Sequence, residues 1–556
     1  MEDVKKTLYL AITIGPILKT LMEARRTREL WAGSFLLSTL MKHLILELDP
    51  KNDRVLIPKI PMAVSTATLF GAGIYPDRLF MKADEMTISD VEAAIEKALK
   101  GLAEETLMAT ESQKKERLKK AVDFWRRFFR IRYVLKPMDD ISNGKLSLEL
   151  TPYLETLETE DTCFQEEPAH NELLELFDEN RIYQVPLSNG LTGNNRGIYD
   201  AILTPFSFFP STLELAAFEL FTKENGLLFR ISEKVRKSTN EGSEEFFRLI
   251  EGNAQLKNHF LPRHKYFCIV QADGDNIGKA IQGLNSETDY SDFSEKLANF
   301  GKVAAERINT YGGKPVYIGG DDLLFLAPVH NGKESVLQLT RDLDRAFQKQ
   351  NLHPDTSLSF GVNVVYYKYP LFEAIGDAYN ILHTAKSHKN QQEKKKNAIS
   401  FRLTKHSGTF FSAVFSKDFL KAAMEAIEAF QESAPKGKKG IVSSLIFKIR
   451  TLEKLLDNVF SQEADKVKQD AGYTPDLEGR LSAFFRAFFN EWKDEKGFEQ
   501  QNQAVQKLLI AAYQEAGAKQ WLSLFYAMMR FIDFMFAPNE IQTPTHDTEN
   551  LVASAG

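Results

Sequence analysis

The chain has 556 residues, too many for one ordinary hydrophobic core, so length alone points to roughly three or four domains. Its 43% apolar and 11% aromatic content excludes a disordered chain. The net charge of −6 excludes a nucleic-acid binder that relies on a generally basic surface. The two cysteines, Cys163 and Cys268, fit a reducing compartment and exclude a zinc site built from cysteine alone.

The first apolar run, Thr7–Leu18, follows Lys5 and Lys6 as the core of a signal peptide would. "EARRTREL" comes after it, not a small-residue cleavage site, so the run reads as a strand entering a helix. No segment offers ~20 uninterrupted apolar residues, so neither a membrane span nor a membrane partner is expected, and the location expected is cytoplasmic. "TLYLAITI" (Thr7–Ile14) predicts a strand, and 16–48 a long helix with Pro16 near its start. "DRVLIPKI" and "DRLFMKA" (Asp77–Ala83) predict two strands, 89–130 a charged helical stretch, and "RIRYVLKP" (Arg130–Pro137) a strand. The order β-α-β-β-α-β is the ferredoxin-like one.

Residues 141–260 are less regular, with helical pieces such as "NELLELFDE" and a loop, "SNGLTGNNRG". The same order then returns roughly 260 residues after its first appearance. Its parts are "YFCIVQAD" (Tyr266–Asp273), the helix "SDFSEKLANFGKVAAERINTY", the hairpin "PVYIGG"/"DLLFLAP", the helix "SVLQLTRDLDRAFQKQ" and the strand "SLSFGVNVVYY". The helix "LFEAIGDAYNILHTAKSH" follows, and "AISFRL" closes the sheet. From about Ser407 onward the pattern is almost all helical. The expected fold is therefore α+β: two ferredoxin-like domains (1–140 and 261–405), a mixed helical insert (141–260) and a C-terminal all-α domain (406–556).

The second copy carries the chemistry. Its first strand ends in "ADGDNIG", with Asp273 and Asp275 at the turn, and its hairpin tip is "GGDD", Gly319 to Asp322. In this topology the first strand and the hairpin pair side by side, so Asp273 and Asp321 approach one another. Carboxylates that close repel unless a cation joins them, and oxygen-only ligands suit Mg²⁺ or Mn²⁺. Two such ions roughly 3.5–4 Å apart serve nucleotidyl transfer. The plainer account is a Gly-Asp turn with solvated acids; Asp273 at the matching strand end favours the metal site. Lys386, near a helix end, can reach a triphosphate, or can simply answer the helix dipole.

These motifs resemble the palm shared by GGDEF cyclases and the large subunit of type III CRISPR effector complexes. "GGDD", "DGDNIG", "SFGV" and "DAYNILHTAKSHKN" match in order and spacing. "TIGPILKTLMEARRTRELWAGSFLLS", "GIYPDRLF", "DFWRRFFRIRYVLKP", "YYKYPLFEAI" and "NAISFRLTKHSG" are similar to the Cmr-type (type III-B) large subunit. The resemblance implies Asp273 and Asp321 as metal ligands. Asp322 would be a further ligand or a base for a 3′-hydroxyl, Gly319 and Gly320 would let the backbone approach the nucleotide, and Lys386 would bind phosphate. Asp275 is a weaker cofactor-binding candidate, expected to point away from Asp273. The first palm, with "AITIGPIL" in place of "VQADGDNI", lacks equivalent acids and would form the other wall of the pocket.

The implied function is a target-RNA-activated nucleotidyltransferase using ATP and two Mg²⁺ or Mn²⁺ ions. Its product would be a cyclic oligoadenylate, or AMP joined to another small molecule such as S-adenosylmethionine. The implied partners are other Cmr-type subunits, guide RNA and target RNA, with one copy of this chain per complex. A stand-alone GGDEF-like cyclase and a non-enzymatic scaffold subunit are the alternatives. Neither an HD nuclease nor a zinc site between the palms is expected: His546-Asp547 is a chance dipeptide in a polar tail, and Cys163 stands alone in the insert. Basic runs such as "KKERLKK", "RRFFRIR", "KSHKNQQEKKK" and "KGKKG" read as solvated faces or helix joints, with RNA met through the assembled complex.

Overall fold

A computed structural model describes residues 6–22, 24–60, 72–106, 114–160, 210–223, 252, 260–389, 396–433, 441–469, 476–489 and 498–536. The first half runs β1 (Thr7–Gly15), α1 (Ile17–Met22), α2 (Thr27–Leu48), β2 (Val55–Ile57), β3 (Arg78–Lys82), α3 (Ile88–Thr106), α4 (Lys114–Phe128) and β4 (Arg130–Met138). Its sheet has the order β2-β3-β1-β4 and is antiparallel throughout. The central strand β1 is apolar along its length because both of its faces are covered: Leu10, Ile12 and Ile14 enter one core, Tyr9 and Ala11 the other. The helix expected over 16–48 is two helices, with Arg26 at the cap of the second and the Glu29 carboxylate accepting from the Arg25 and Arg26 amides. "RRFFRIR" is a helix-to-strand joint, with Phe129 buried against Trp125.

Between the halves lie α5 (Lys145–Glu160), α6 (Thr212–Ala216) and α7 (Phe218–Lys223). "NELLELFDE", "SNGLTGNNRG", Cys163, "KGKKG" and His546-Asp547 fall outside the described residues. The second half runs β5 (Tyr266–Asp275), α8 (Ile277–Gln282), α9 (Glu287–Tyr311), β6 (Lys314–Gly319), β7 (Asp322–Pro328), α10 (Val336–Gln348), β8 (Ser357–Tyr366), α11 (Leu371–Ser387), β9 (Ala398–Thr404) and β10 (Phe410–Ser416). Its sheet, β10-β9-β8-β5-β7-β6, repeats the ferredoxin-like order in β8-β5-β7-β6; β9 adds parallel to β8 and β10 antiparallel to β9. The α+β class and the paired ferredoxin-like sheets are thus as the sequence implies. The sheet continues to Ser416, past the 405 boundary read from the sequence, because "FFSAVFS" is a strand and not the start of the helices. The helical remainder is α12 (Lys417–Ser433), α13 (Ile441–Thr451), α14 (Glu453–Gln469), α15 (Leu477–Phe488) and α16 (Phe498–Phe536). The last of these is broken at Gly517, where φ is +67°. In "AFFRAFFNEW", Phe484, Phe485 and Phe489 are buried as that unit's own core.

The two palms share their cores. One face of the second sheet (Phe267, Ile269, Leu324, Leu326) belongs to the apolar cluster of α1 to α4, and Tyr9, Ala11 and Phe80 of the first sheet belong to the cluster around α9. Polar links pin the seam. Ser34 Oγ donates to the Val316 carbonyl at 2.7 Å, the Ile318 amide to Gly73 O at 2.8 Å, and Tyr9 Oη to Glu287 Oε1 at 2.9 Å. No described helix is long and apolar enough to cross a membrane.

A buried charge cluster ties three segments together. Arg263 donates to Glu219 Oε2 at 2.6 Å and to the Met535 carbonyl, and His264 Nε2 lies 2.9 Å from the same Glu219 oxygen. Removing one partner of a buried pair leaves the other charge uncompensated. Glu219→Ala should therefore destabilise the chain by about 3–5 kcal/mol, read as a lowered urea midpoint; an unchanged midpoint would show that Arg263 finds water or another acceptor.

Candidate active site

The hairpin β6–β7 closes with Gly319 paired to Asp322, leaving a two-residue turn of Gly320 and Asp321. Gly320 has φ +70° and Asp321 does not share the positive φ, the pattern of a II′ turn, which is open to glycine at its first position. The turn lifts Asp321 toward β5. A β-carbon at Gly274 would lie 2.4 Å from Asp321 Oδ2, so only glycine leaves room for this carboxylate beside the end of β5. At Gly319 a β-carbon would strike the Tyr317 hydroxyl at 1.9 Å, so that glycine accommodates the tyrosine as well as keeping the tip thin.

Lys386, in the last turn of α11, reaches over the end of β5. Its Nζ is 2.8 Å from Asp273 Oδ2, 2.6 Å from the Gly274 carbonyl and 3.6 Å from Asp275 Oδ1. Asp273 and Asp275 therefore flank one ammonium. The expectation that Asp275 points away from Asp273 is corrected: residues two apart on a strand share a face. Asp275 is also fully buried, accepting from Ser357 Oγ and Ser359 Oγ at 2.8 Å each and from the Asn397 amide at 2.9 Å. It holds the lysine from beneath and offers no face to a ligand, while its Oδ1 has no hydrogen-bond partner.

The electrostatics follow from crowding. Loss of solvation and the nearby Asp273 charge push the Asp321 carboxyl up to about 6, against the pull of Lys386 and the Gly274 amide. Asp322 is raised well above the carboxylate range, first by loss of solvation, then by Asp321, Asp273 and Asp77. Its side chain is nonetheless open to water on its outer side. Among the described residues no three His, Cys, Asp or Glu side chains converge tightly enough to hold an ion as they stand. The ammonium of Lys386 is the positive charge beside Asp273.

The first palm meets the hairpin strand at Tyr317. Ile14, Ile17, Leu21, Tyr75 and Asp77 line a small pocket with Tyr317. Burial, then Asp77, Asp322 and Asp321, push the Tyr317 phenol well up, which places all three carboxylates within electrostatic reach of one ring. Burial likewise raises Asp77, with Arg78 opposing and Glu158 adding to the shift. The first palm, read from sequence as lacking acids equivalent to Asp273 and Asp321, contributes Asp77 to the surroundings of Tyr317.

Comparison with known proteins agrees with this geometry. Residues 266–400 match the family model described as Cas10/Cmr2, second palm domain, and residues 9–123 match the one described as CRISPR-associated protein Cmr2, N-terminal. The CRISPR system Cmr subunit Cmr2 of Pyrococcus furiosus is 26% identical over 226 residues, covering 36% of this chain and 25% of that protein, so the chain spans a quarter of the curated relative's length. A type III-B Cmr-beta structure in the apo state superposes with a TM-score of 0.55 at 14% identity, covering 83% of this chain and 77% of that one. The Cmr-beta structure bound to cognate target RNA gives 0.54 at 13% identity, covering 82% and 77%. The two family matches thus fall in order on the paired ferredoxin-like sheets: residues 9–123 match a Cmr2 N-terminal domain and residues 266–400 a Cas10/Cmr2 second palm domain.

Proposed function

We propose that this chain is the nucleotidyltransferase of a type III CRISPR antiviral complex, activated by target RNA paired to the guide and making an adenylate second messenger from ATP. The observation that carries the reading is Asp273 at the end of β5 beside Asp321 in the hairpin turn, with Asp322 next in sequence and the Lys386 ammonium on Asp273. The donor set suits a hard divalent cation: it is all oxygen, and its negative charge exceeds what Lys386 neutralises. Asp273 and Asp321 would hold Mg²⁺ or Mn²⁺, with Asp322 at the mouth. Bound there, such ions supply charge neutralisation to the attacking and departing oxygens.

The chain's own residues do the rest. Lys386 turns from Asp273 to the triphosphate. Asp322, in its ionised form, accepts the proton of the attacking hydroxyl. That oxygen bonds to the α-phosphorus, the bond to the β-phosphate bridging oxygen breaks, and pyrophosphate leaves. Tyr317 and the first palm exclude water from the inner side.

Three outcomes are expected. Asp321→Asn with Asp322→Asn should lower product formation from ATP by a factor of about 10²–10³ or more, with complex assembly by gel filtration intact; failed assembly would make the acids structural. Lys386→Met should tighten Mn²⁺ binding to the nucleotide-free chain by about tenfold, followed by electron paramagnetic resonance, while weakening ATP. In the unmodified chain Mn²⁺ affinity should climb as pH rises through about 6, because Asp321 must release its proton to ligate, and fall away below it.

A further inference from the structure

The helix that carries Lys386 ends at His388, whose Nε2 lies 2.8 Å from Glu515 Oε1. Glu515 belongs to α16, 127 positions away in sequence, and its side chain is only 4% exposed. The same carboxylate accepts from the Ser416 amide at 2.7 Å and from Ser416 Oγ at 2.5 Å, at the end of β10. An ionised carboxylate only accepts, so His388 must carry its proton on Nε2. Burial acts to raise the Glu515 carboxyl, but the bonds from His388 and Ser416 outweigh it and leave the group below its ordinary range, ionised at neutral pH.

The surroundings make this contact a junction. Two residues beyond Glu515 the helix breaks at Gly517. The arm before the break packs among the helices, with Lys507 on Glu425 at 2.8 Å and Gln506 bonded to Ser482 at 2.9 Å. The arm after it lies on the catalytic sheet, with Phe531 against Phe401 and Phe534 against Tyr266. On the other side of His388, its carbonyl accepts from the Lys396 amide at 3.1 Å, and the next residue, Asn397, donates to Asp275. The end of α11 is thus gripped between the C-terminal helices and the buried acid under Lys386.

We propose that Glu515 is a positioning residue: through His388 it fixes the last turn of α11 and so sets Lys386 against Asp273 and the Gly274 carbonyl, wiring the C-terminal helices to the phosphate end of the site. The inference rests on the reading of Lys386 as the phosphate-binding lysine. A simple packing staple would hold the domain together without touching the lysine, and the two roles separate in experiment.

The test uses the full chain and needs no identified product. Lysine acetylation followed by mass spectrometry reports how firmly Lys386 is held, because its side chain is 19% exposed in its ion-paired state. Glu515→Gln should raise Lys386 labelling several-fold while leaving Lys279, ion-paired to Asp355 far from α16, unchanged. His388→Gln should do the same, and serves if Glu515→Gln fails to fold. Binding of a non-hydrolysable ATP analogue should weaken by about tenfold in Glu515→Gln, with adenosine affinity unmoved and no further loss when Glu515→Gln is added to Lys386→Met. Lys386 labelling equal to that of the unmodified chain in both variants overturns the proposal, as does an equal loss of analogue binding in the presence and absence of Lys386. If the analogue fails to protect Lys386 in the unmodified chain, the phosphate reading falls, while the labelling comparison among variants still decides the role of Glu515.

Discussion

Like charges held together in a poorly solvated place need a cation, and the architecture around β5 and the β6–β7 hairpin is arranged about that constraint. The turn at Gly320 lifts Asp321, Gly274 leaves space for it, and α11 delivers one ammonium onto Asp273. Each feature is otherwise unfavourable: glycines weaken strands, and clustered acids repel. In the described structure the Lys386 ammonium is the charge that offsets them.

The division of labour between the halves follows from the same constraint. Both sheets have the ferredoxin-like strand order, and each lends a face to the other's core. The seam is rigid where it matters, with Ser34 and Gly73 bonded to the backbone of β6 on either side of Tyr317. That seam brings the first palm's Asp77 within electrostatic reach of Tyr317 and Asp322.

What could be read from the sequence was what is local. The two β-α-β-β-α-β runs, the hairpin tip and the helix carrying Lys386 all announce themselves by periodicity and turn residues. Asp275 was misjudged because its place at a turn hid the strand alternation that puts it on the Asp273 face, and its burial depends on Ser357, Ser359 and Asn397, which are distant in sequence. β10 was missed because "FFSAVFS" adjoins a strongly helical segment and its strand character comes from pairing with β9. Asp77 and Glu515 were illegible for a different reason. Each is an ordinary acid in its local pattern, and only tertiary folding brings one to the pocket wall and the other to the end of α11.

The central claim is that the acid tip catalyses nucleotidyl transfer from ATP, and the most direct measurement is the mass of what the complete complex makes. The complex would be incubated with ATP and Mg²⁺ or Mn²⁺, with and without matching target RNA, and with and without S-adenosylmethionine. The account predicts an adenylate product that appears only with target RNA, its mass showing whether a second molecule has been joined. No product under any condition, from a complex that still binds target RNA, would contradict it and leave the carboxylates and their lysine as part of a scaffold.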